Sequence, residues 1–216
     1  MKDYAIALQG ESLILMSERA VFWERERTLL IADAHFGKAA TFRAHAIALP
    51  EGNLVEDLDR LSSAIARTGA HRLIVLGDLI HAAKGRDSYT LKHVRVWRES
   101  QAGVHMQLVR GNHDTRAGDP PDDWRIEAED APVLHAPFVL CHEPRASAAG
   151  YVIAGHIHPV AQLAGKGKQL LRVPCFWVSN QCMVLPAFST FTGGANPRLK
   201  KGDRLFGIAS QSVVAL

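Results

Sequence analysis

The sequence predicts an α/β protein with two sheets and helices packed outside them. Three observations carry this expectation: short, continuously apolar runs, segments of helical period between them, and a change downstream to closely spaced strands. The runs TLLIADAH, LIVLGDLIH and VHMQLVRGNHD have the texture of strands covered on both faces. Strands alternating with helices argue for a sheet with crossover helices.

In chain order, residues 4–23 read as short strands, AIALQG followed by SLILMSERAVFW. Between TLLIADAH and LIVLGDLIH, the stretch LPEGNLVEDLDRLSSAIARTGA places Leu54, Leu58, Leu61 and Ile65 at helical spacing, with Gly69 at the C-terminal cap. SYTLKHVRVWRES reads as a second helix. Downstream, FVLCHEP, YVIAGHIHPV, LLRVPCFWV and QCMVLPAFS read as strands, with SNQ turning the last pair into a hairpin. LKKGDRLFGIASQSVVAL reads as a closing turn and strand. No repeat, low-complexity tract or linker divides the 216 residues, so one domain over 1–216 is expected.

Hydrophobic residues make up 47% and charged residues 22% of the chain, which places it among folded proteins and against disorder. The N-terminal stretch carries charges throughout and lacks the apolar core of a signal peptide. No segment approaches the roughly 20 apolar residues of a membrane helix, so no membrane partner is expected. The three cysteines, Cys141, Cys175 and Cys182, form no CxxC pair and fit reduced thiols in a cytoplasmic protein. A formal charge of +3 permits a polyanionic partner without requiring one.

Metal-competent side chains recur at the carboxyl ends of five apolar runs. They are Asp33 and His35 in IADAHFGK, Asp78 in VLGDLIH, Asn112 and His113 in VRGNHD, His142 in LCHEP, and His156 and His158 in AGHIHP. Ligands of open α/β sheets lie outside the carboxyl ends of the strands, so five strand ends can converge on one crevice. Asp33 with His35, and His156 with His158, are two apart and would share a face of extended chain. Gly77 lets the backbone turn closely beside Asp78. Imidazole nitrogens mixed with carboxylate and amide oxygens suit manganese, iron or zinc rather than calcium. Any one of these motifs alone reads equally well as solvated loop residues; their joint occurrence in order does not.

D-x-H, GD, GNHD, H and GHxH in this order resemble the calcineurin-like metallophosphoesterase superfamily over residues 29–160. The resemblance implies a four-layer αββα sandwich with two divalent metals between the carboxyl ends of its sheets. It implies that Asp33, His35 and His158 hold one metal, that Asn112, His142 and His156 hold the other, and that Asp78 bridges them. Two such cations activate water and clamp phosphoryl oxygens, so no side-chain nucleophile is needed. His113, unassigned to a metal, resembles the histidine that stabilises the phosphoryl group or protonates the leaving oxygen. Asp114 would orient His113 or sit as a solvated turn residue. GD is followed here by His81 where the superfamily often has a second acidic residue, and a loop role for His81 is preferred over one orienting a neighbouring histidine.

The segment ADAHFGKAATFRAHAIALPEG is similar to the bacterial ligase-associated DNA damage response endonucleases, through Lys38, Phe42, Arg43, Leu49, Pro50 and Gly52, together with HEP at 142–144. That narrower resemblance implies a nuclease of DNA repair associated with an ATP-dependent DNA ligase and a helicase. Lys38, Arg43, Lys84, Arg86, Arg110, Arg116 and Arg145 lie in or just after the metal motifs; Arg43 and Arg145 are the two expected to grip flanking phosphates, the others reading as surface charge. Phe36 and Phe42 are expected to pack rather than stack on bases, while Tyr89 is open to either. The alternatives to a DNA phosphodiesterase are an enzyme for a small nucleotide or other small phosphoester, and a scaffold without activity. Every expected ligand position is filled, which argues against the scaffold.

Overall fold

A computed structural model of the chain describes residues 1–44, 46, 53–164 and 170–216. Its first sheet has the order β1 (Tyr4–Leu8), β2 (Glu11–Met16), β3 (Ala20–Trp23), β4 (Thr28–Ile31), β5 (Arg72–Leu76), β6 (His105–Val109), β7 (Ile126–Glu129). The strands β1 to β4 are antiparallel, joined by tight turns. Gln9 and Gly10 both take positive φ, as a two-residue hairpin connection demands. From β4 to β7 the pairing is parallel.

Parallel strands need crossovers, and here they contain the helices. These are α1 (Lys38–Arg43), α2 (Asn53–Thr68), α3 (Ser88–Ser100) and the single turn α4 (Asp114–Ala117). On α2, Leu58, Leu61 and Ile65 are buried, and Gly69 ends the helix at φ 60°, donating to the Ile65 carbonyl at 2.8 Å. Asp87 caps α3 by accepting from the Thr90 amide at 2.8 Å.

The second sheet has the order β15 (Ser212–Ala215), β14 (Arg204–Ala209), β12 (Leu170–Val178), β13 (Cys182–Val184), β10 (Tyr151–Ala154), β9 (Phe138–Leu140), β8 (Val133–His135), with β11 (Val160–Ala164) paired to β12. The turn after β12 forms the expected hairpin with β13. The C-terminal segment makes two strands rather than one, turning at Ser210 and Gln211.

Strand alternation sorts the core. Leu30, Ile74 and Leu76 face the second sheet and pack with Phe138, Leu140, Ile153, Phe176 and Met183, while Trp23 meets Phe138 edge-on at 4.9 Å. Leu29, Ile31, Leu73 and Val75 point the other way, against Leu58 and Leu61 of α2 and Val94 and Trp97 of α3. Each such side chain contributes about 1.5–3 kcal/mol on burial. The two-sheet α/β sandwich is as expected. All four α-helices among the described residues lie between β4 and β7, so the helical cover belongs to the first sheet. The three cysteines are free thiols.

Candidate metal centre

The parallel strands β4, β5 and β6 end beside the ends of β9 and β10, and backbone bonds lock these ends together. The amides of Asp33 and His35 donate to the carbonyls of Gly77 and Asp78 at 3.1 and 2.8 Å. Between the sheets, His142 Nδ1 meets the Leu76 carbonyl at 3.1 Å and the His156 amide donates to Asp33 Oδ2 at 2.8 Å. There is no room for larger residues here. A Cβ on Gly77 would lie 2.1 Å from His142 Nδ1, and one on Gly155 would lie 2.5 Å from Asp33 Oδ2.

The seven predicted ligands converge, though not through strand alternation. The strands β4 and β10 stop at Ile31 and Ala154, before the motifs begin. Asp33, His35, Asp78, His156 and His158 all take positive φ, between 47° and 71°. For residues with a Cβ this conformation costs about 1 kcal/mol or more apiece, and such strain collects where surrounding structure holds a functional geometry.

Two groups of the predicted ligand atoms result, beside a third set, His35, His81 and His113, that is also close enough to hold an ion. In the first, Asp33 Oδ1, His35 Nε2 and His158 Nε2 cluster, with His158 Nε2 at 3.3 Å from the carboxylate oxygen and 3.4 Å from the His35 nitrogen. In the second, His142 Nε2 lies 3.0 Å from His156 Nδ1, 3.0 Å from Asn112 Oδ1 and 3.4 Å from Asp78 Oδ2. Asp78 Oδ2 is also 3.9 Å from His35 Nε2, which sets it between the groups. Atoms bound to one ion at about 2.1 Å lie roughly 3.0–3.4 Å apart, so these spacings fit divalent cations.

Two further observations favour metal ions. Asp33 Oδ1 is buried and has no hydrogen-bond partner, a costly state for a carboxylate oxygen unless a cation meets it. His142 and His158 each direct Nδ1 at a backbone carbonyl, of Leu76 and Gly193, which leaves Nε2 with its lone pair toward the cluster. Burial, then neighbouring His158, Lys38, His81 and His113, pushes the His35 pKa down to about 2, so its imidazole is held in the neutral, ligating form.

Two readings of the neighbouring residues change. His81 is no free loop residue: its amide donates to the Phe36 carbonyl at 3.0 Å, and its ring stacks between Phe42 and His113. Its Nδ1 lies 3.4 Å from His35 Nδ1, and burial followed by the charges of His113 and Lys38 lowers its pKa to about 4. Asp114 neither orients the His113 ring nor meets solvent. It is buried and accepts from the amides of Asp78 and Gly111 at 2.7 and 2.9 Å and of Leu79 and Ile80 at 3.0 and 3.3 Å. His113 is instead oriented by the His81 carbonyl, 2.5 Å from its Nδ1, with Nε2 3.9 Å from Asp78 Oδ2.

The fold is similar to the crystal structure of Pseudomonas putida nuclease MPE, with a TM-score of 0.88 and 37% sequence identity over 100% of both chains. The chain belongs to the metallophosphoesterase family of that nuclease. More distant likenesses are the phosphoesterase YfcE from E. coli (TM-score 0.44, 20% identity, 87% of this chain and 96% of that one) and the Aquifex aeolicus protein of unknown function AQ665 (0.40, 17%, 61% and 78%). No family model and no curated protein matches the chain. As a metallophosphoesterase it is a metal-dependent phosphoric ester hydrolase. No helix among its described residues is long and apolar enough to cross a membrane.

Around the candidate metal centre of this metallophosphoesterase the basic residues differ in standing. Arg145 is exposed and shares a cleft with Asn112 and His142. Arg43, on α1, lies 3.6 Å from Asp87, the cap of α3. Arg110 is committed to Asp119 and Asp130, and Arg86 to the carbonyls of residues 117–119. Lys38 lies over the Phe191 ring at 5.8 Å. Lys84 and Arg116 are exposed. Phe36 is a packing residue at 3% exposure, Phe42 packs on His81 and Phe191, and Tyr89 lies tilted against His93. Leu49, Pro50 and Gly52 lie outside the described residues. The part played by loop 187–194, whose Gly193 carbonyl accepts from His158, had no signal in the sequence.

Proposed function

We propose that the chain, as one metallophosphoesterase domain over residues 1–216, is a dinuclear-metal phosphodiesterase that cuts DNA. The observation that carries this reading is 37% identity, across the whole of both chains, to a protein solved as a nuclease. The convergence of Asp33, His35, Asp78, Asn112, His142, His156 and His158 supports the metal assignment. In it, Asp33, His35 and His158 hold one ion, Asn112, His142 and His156 the other, and Asp78 both. Manganese is the preferred metal, with iron and zinc as the competitors that this donor set also suits.

When bound, such a pair of cations supplies an activated water and neutralises charge on the phosphoryl oxygens. The remaining roles belong to side chains. His113 Nδ1–H hydrogen-bonds the His81 carbonyl, so Nε2 faces the site: in the imidazolium form it would give its proton to the leaving oxygen and be left as neutral imidazole. His81 keeps both that ring and His35 in place. Arg145 and Arg43 are assigned to phosphates beyond the scissile one. The biological setting we propose is cytoplasmic DNA repair, alongside an ATP-dependent DNA ligase and a helicase.

The test is a screen of protein reconstituted with manganese, iron or zinc, on single-stranded DNA, RNA, cyclic nucleotides and aryl phosphates. Cleavage of circular single-stranded DNA, which has no ends, is the expected result. Turnover confined to small phosphoesters would replace this reading with a small-molecule phosphodiesterase.

A further inference from the structure

The loop from Ala187 to Gly194 borders the first ligand group and is anchored by charge. The amides of Phe188 and Ser189 donate to the carbonyls of Ala32 and Asp33 at 2.7 and 3.3 Å. From behind, Arg60 donates to the Phe188 carbonyl and to Asp57 Oδ1 at 2.7 Å, while Arg19 Nη1 donates to the carbonyls of Ser189 and Ala187 at 2.7 and 3.3 Å. Asp57 is thus paired with Arg60 and also accepts from Thr190, while Arg19 bonds backbone carbonyls and feels that carboxylate only at longer range. One positive charge is left over.

That surplus opens on a cleft of about 270 Å³, many times what one water needs. Among the described residues its wall contains Arg19, Arg172, Thr190, Thr192 and the candidate ligand His158, and no carboxylate. Arg172 Nη2 is fixed on the Gly194 carbonyl at 2.7 Å, and the Thr192 hydroxyl is buried without a partner. Each guanidinium has five N–H donors, so both arginines keep donors beyond those bonds. The other two clefts that reach the candidate site, where Arg43 and Arg145 are assigned to further phosphates, carry carboxylates beside their cations. The one beside Lys38 and Arg43 has Asp57 in its wall, and the one beside Arg145 has Asp130 and Glu143.

We infer that the cleft of Arg19, Arg172 and Thr192 is a phosphate subsite, taking a phosphodiester of the substrate strand next to the scissile one on the His158 side. Guanidinium forks match phosphate oxygens bidentately, and anchoring by carbonyls spares the ordering cost of free side chains. This inference rests on the nucleic-acid reading above, since a small phosphodiester has no second phosphate to place there. An isolated anion and a strand phosphate share this chemistry, so the test must separate them.

Arg172 is exposed, which makes Arg172→Ala the safest variant. It should weaken single-stranded oligonucleotide binding by roughly tenfold at low salt and flatten the log–log salt dependence by about 0.7. Arg172→Lys should restore most of the slope, and Thr192→Val should weaken binding with no change of slope. Hydrolysis of an aryl phosphodiester should be unaltered by all three, and inorganic phosphate should inhibit oligonucleotide cleavage less in Arg172→Ala than in wild type. Unchanged oligonucleotide binding, or equal losses on both substrates, would overturn the subsite while leaving the nucleic-acid reading standing. Wild-type protein that hydrolyses the aryl diester but neither binds nor cleaves the oligonucleotide would overturn both.

Discussion

Asp114 holds Asp78 in place: its Oδ2 accepts the Asp78 amide at 2.7 Å, and its Oδ1 takes the next two amides of the same loop. A buried carboxylate thus fixes the backbone of the residue assigned to bridge the metals, which at φ 53° would otherwise relax. Asp114→Ala leaves four buried N–H donors unmatched, at about 1–3 kcal/mol each where no water replaces the carboxylate. Stability should fall by several kcal/mol and metal affinity with it, read from urea midpoints at constant slope and from metal titration. Asp114→Asn should recover part of both. Unaltered metal affinity in a folded Asp114→Ala protein would mean the loop keeps its shape unaided.

Gly77 offers a second, sterically defined test. Gly77→Ala combines an unfavourable φ of 77° with a Cβ set 2.1 Å from His142 Nδ1. Gly10→Ala meets the same penalty, at φ 80°, with nothing within 4 Å. Gly10→Ala should therefore cost about 1 kcal/mol and spare metal binding, whereas Gly77→Ala should cost clearly more and displace His142. Equal losses in thermal stability and metal content would show that the close approach is unimportant.

His113 separates chemistry from metal binding. His113→Ala should lower turnover by roughly 10²–10⁴-fold, the range of general acid–base catalysis, with metal content intact. Asp78→Ala should deplete both metals. An emptied metal site in His113→Ala would move His113 from the phosphoryl group to the ligand set.

The two arginines picked out by sequence should now behave differently. Arg145 is exposed beside Asn112 and His142, so Arg145→Ala should weaken oligonucleotide binding and spare an aryl phosphodiester. Arg43 lies against the cap of α3, so Arg43→Ala should also lower thermal stability. Binding and kcat/KM on both substrates across a salt series, with melting curves, distinguish these outcomes. Loss of aryl diester activity in Arg145→Ala would assign it to the metal centre instead.

Much of this was legible in the sequence because its signals are local. Apolar runs marked β4, β5, β6, β9 and β10, helical spacing marked α2 and α3, and the order of five motifs marked the ligands. The reason first given for the D-x-H and H-x-H pairs was wrong in detail, since left-handed backbone rather than strand pleating brings them together. That depends on the Gly77 and Asp78 carbonyls that accept from Asp33 and His35, and on the His156 amide held by Asp33, which no pattern announces. The strands β7 and β8 were unread because IEAE is polar and VLH is short. His81 and Asp114 gained their roles from partners 46 and 36 residues away, a separation that spacing rules do not reach. The anchored loop at 187–194 depends likewise on Arg19, Asp57 and Arg60 from distant elements.

The central claim, two metal ions held by seven named side chains, is tested most directly by elemental analysis of protein reconstituted with manganese and freed of excess. Two ions per chain are expected at saturation, with a value near one in His158→Ala and in His156→Ala. A wild-type value of one or fewer would contradict it.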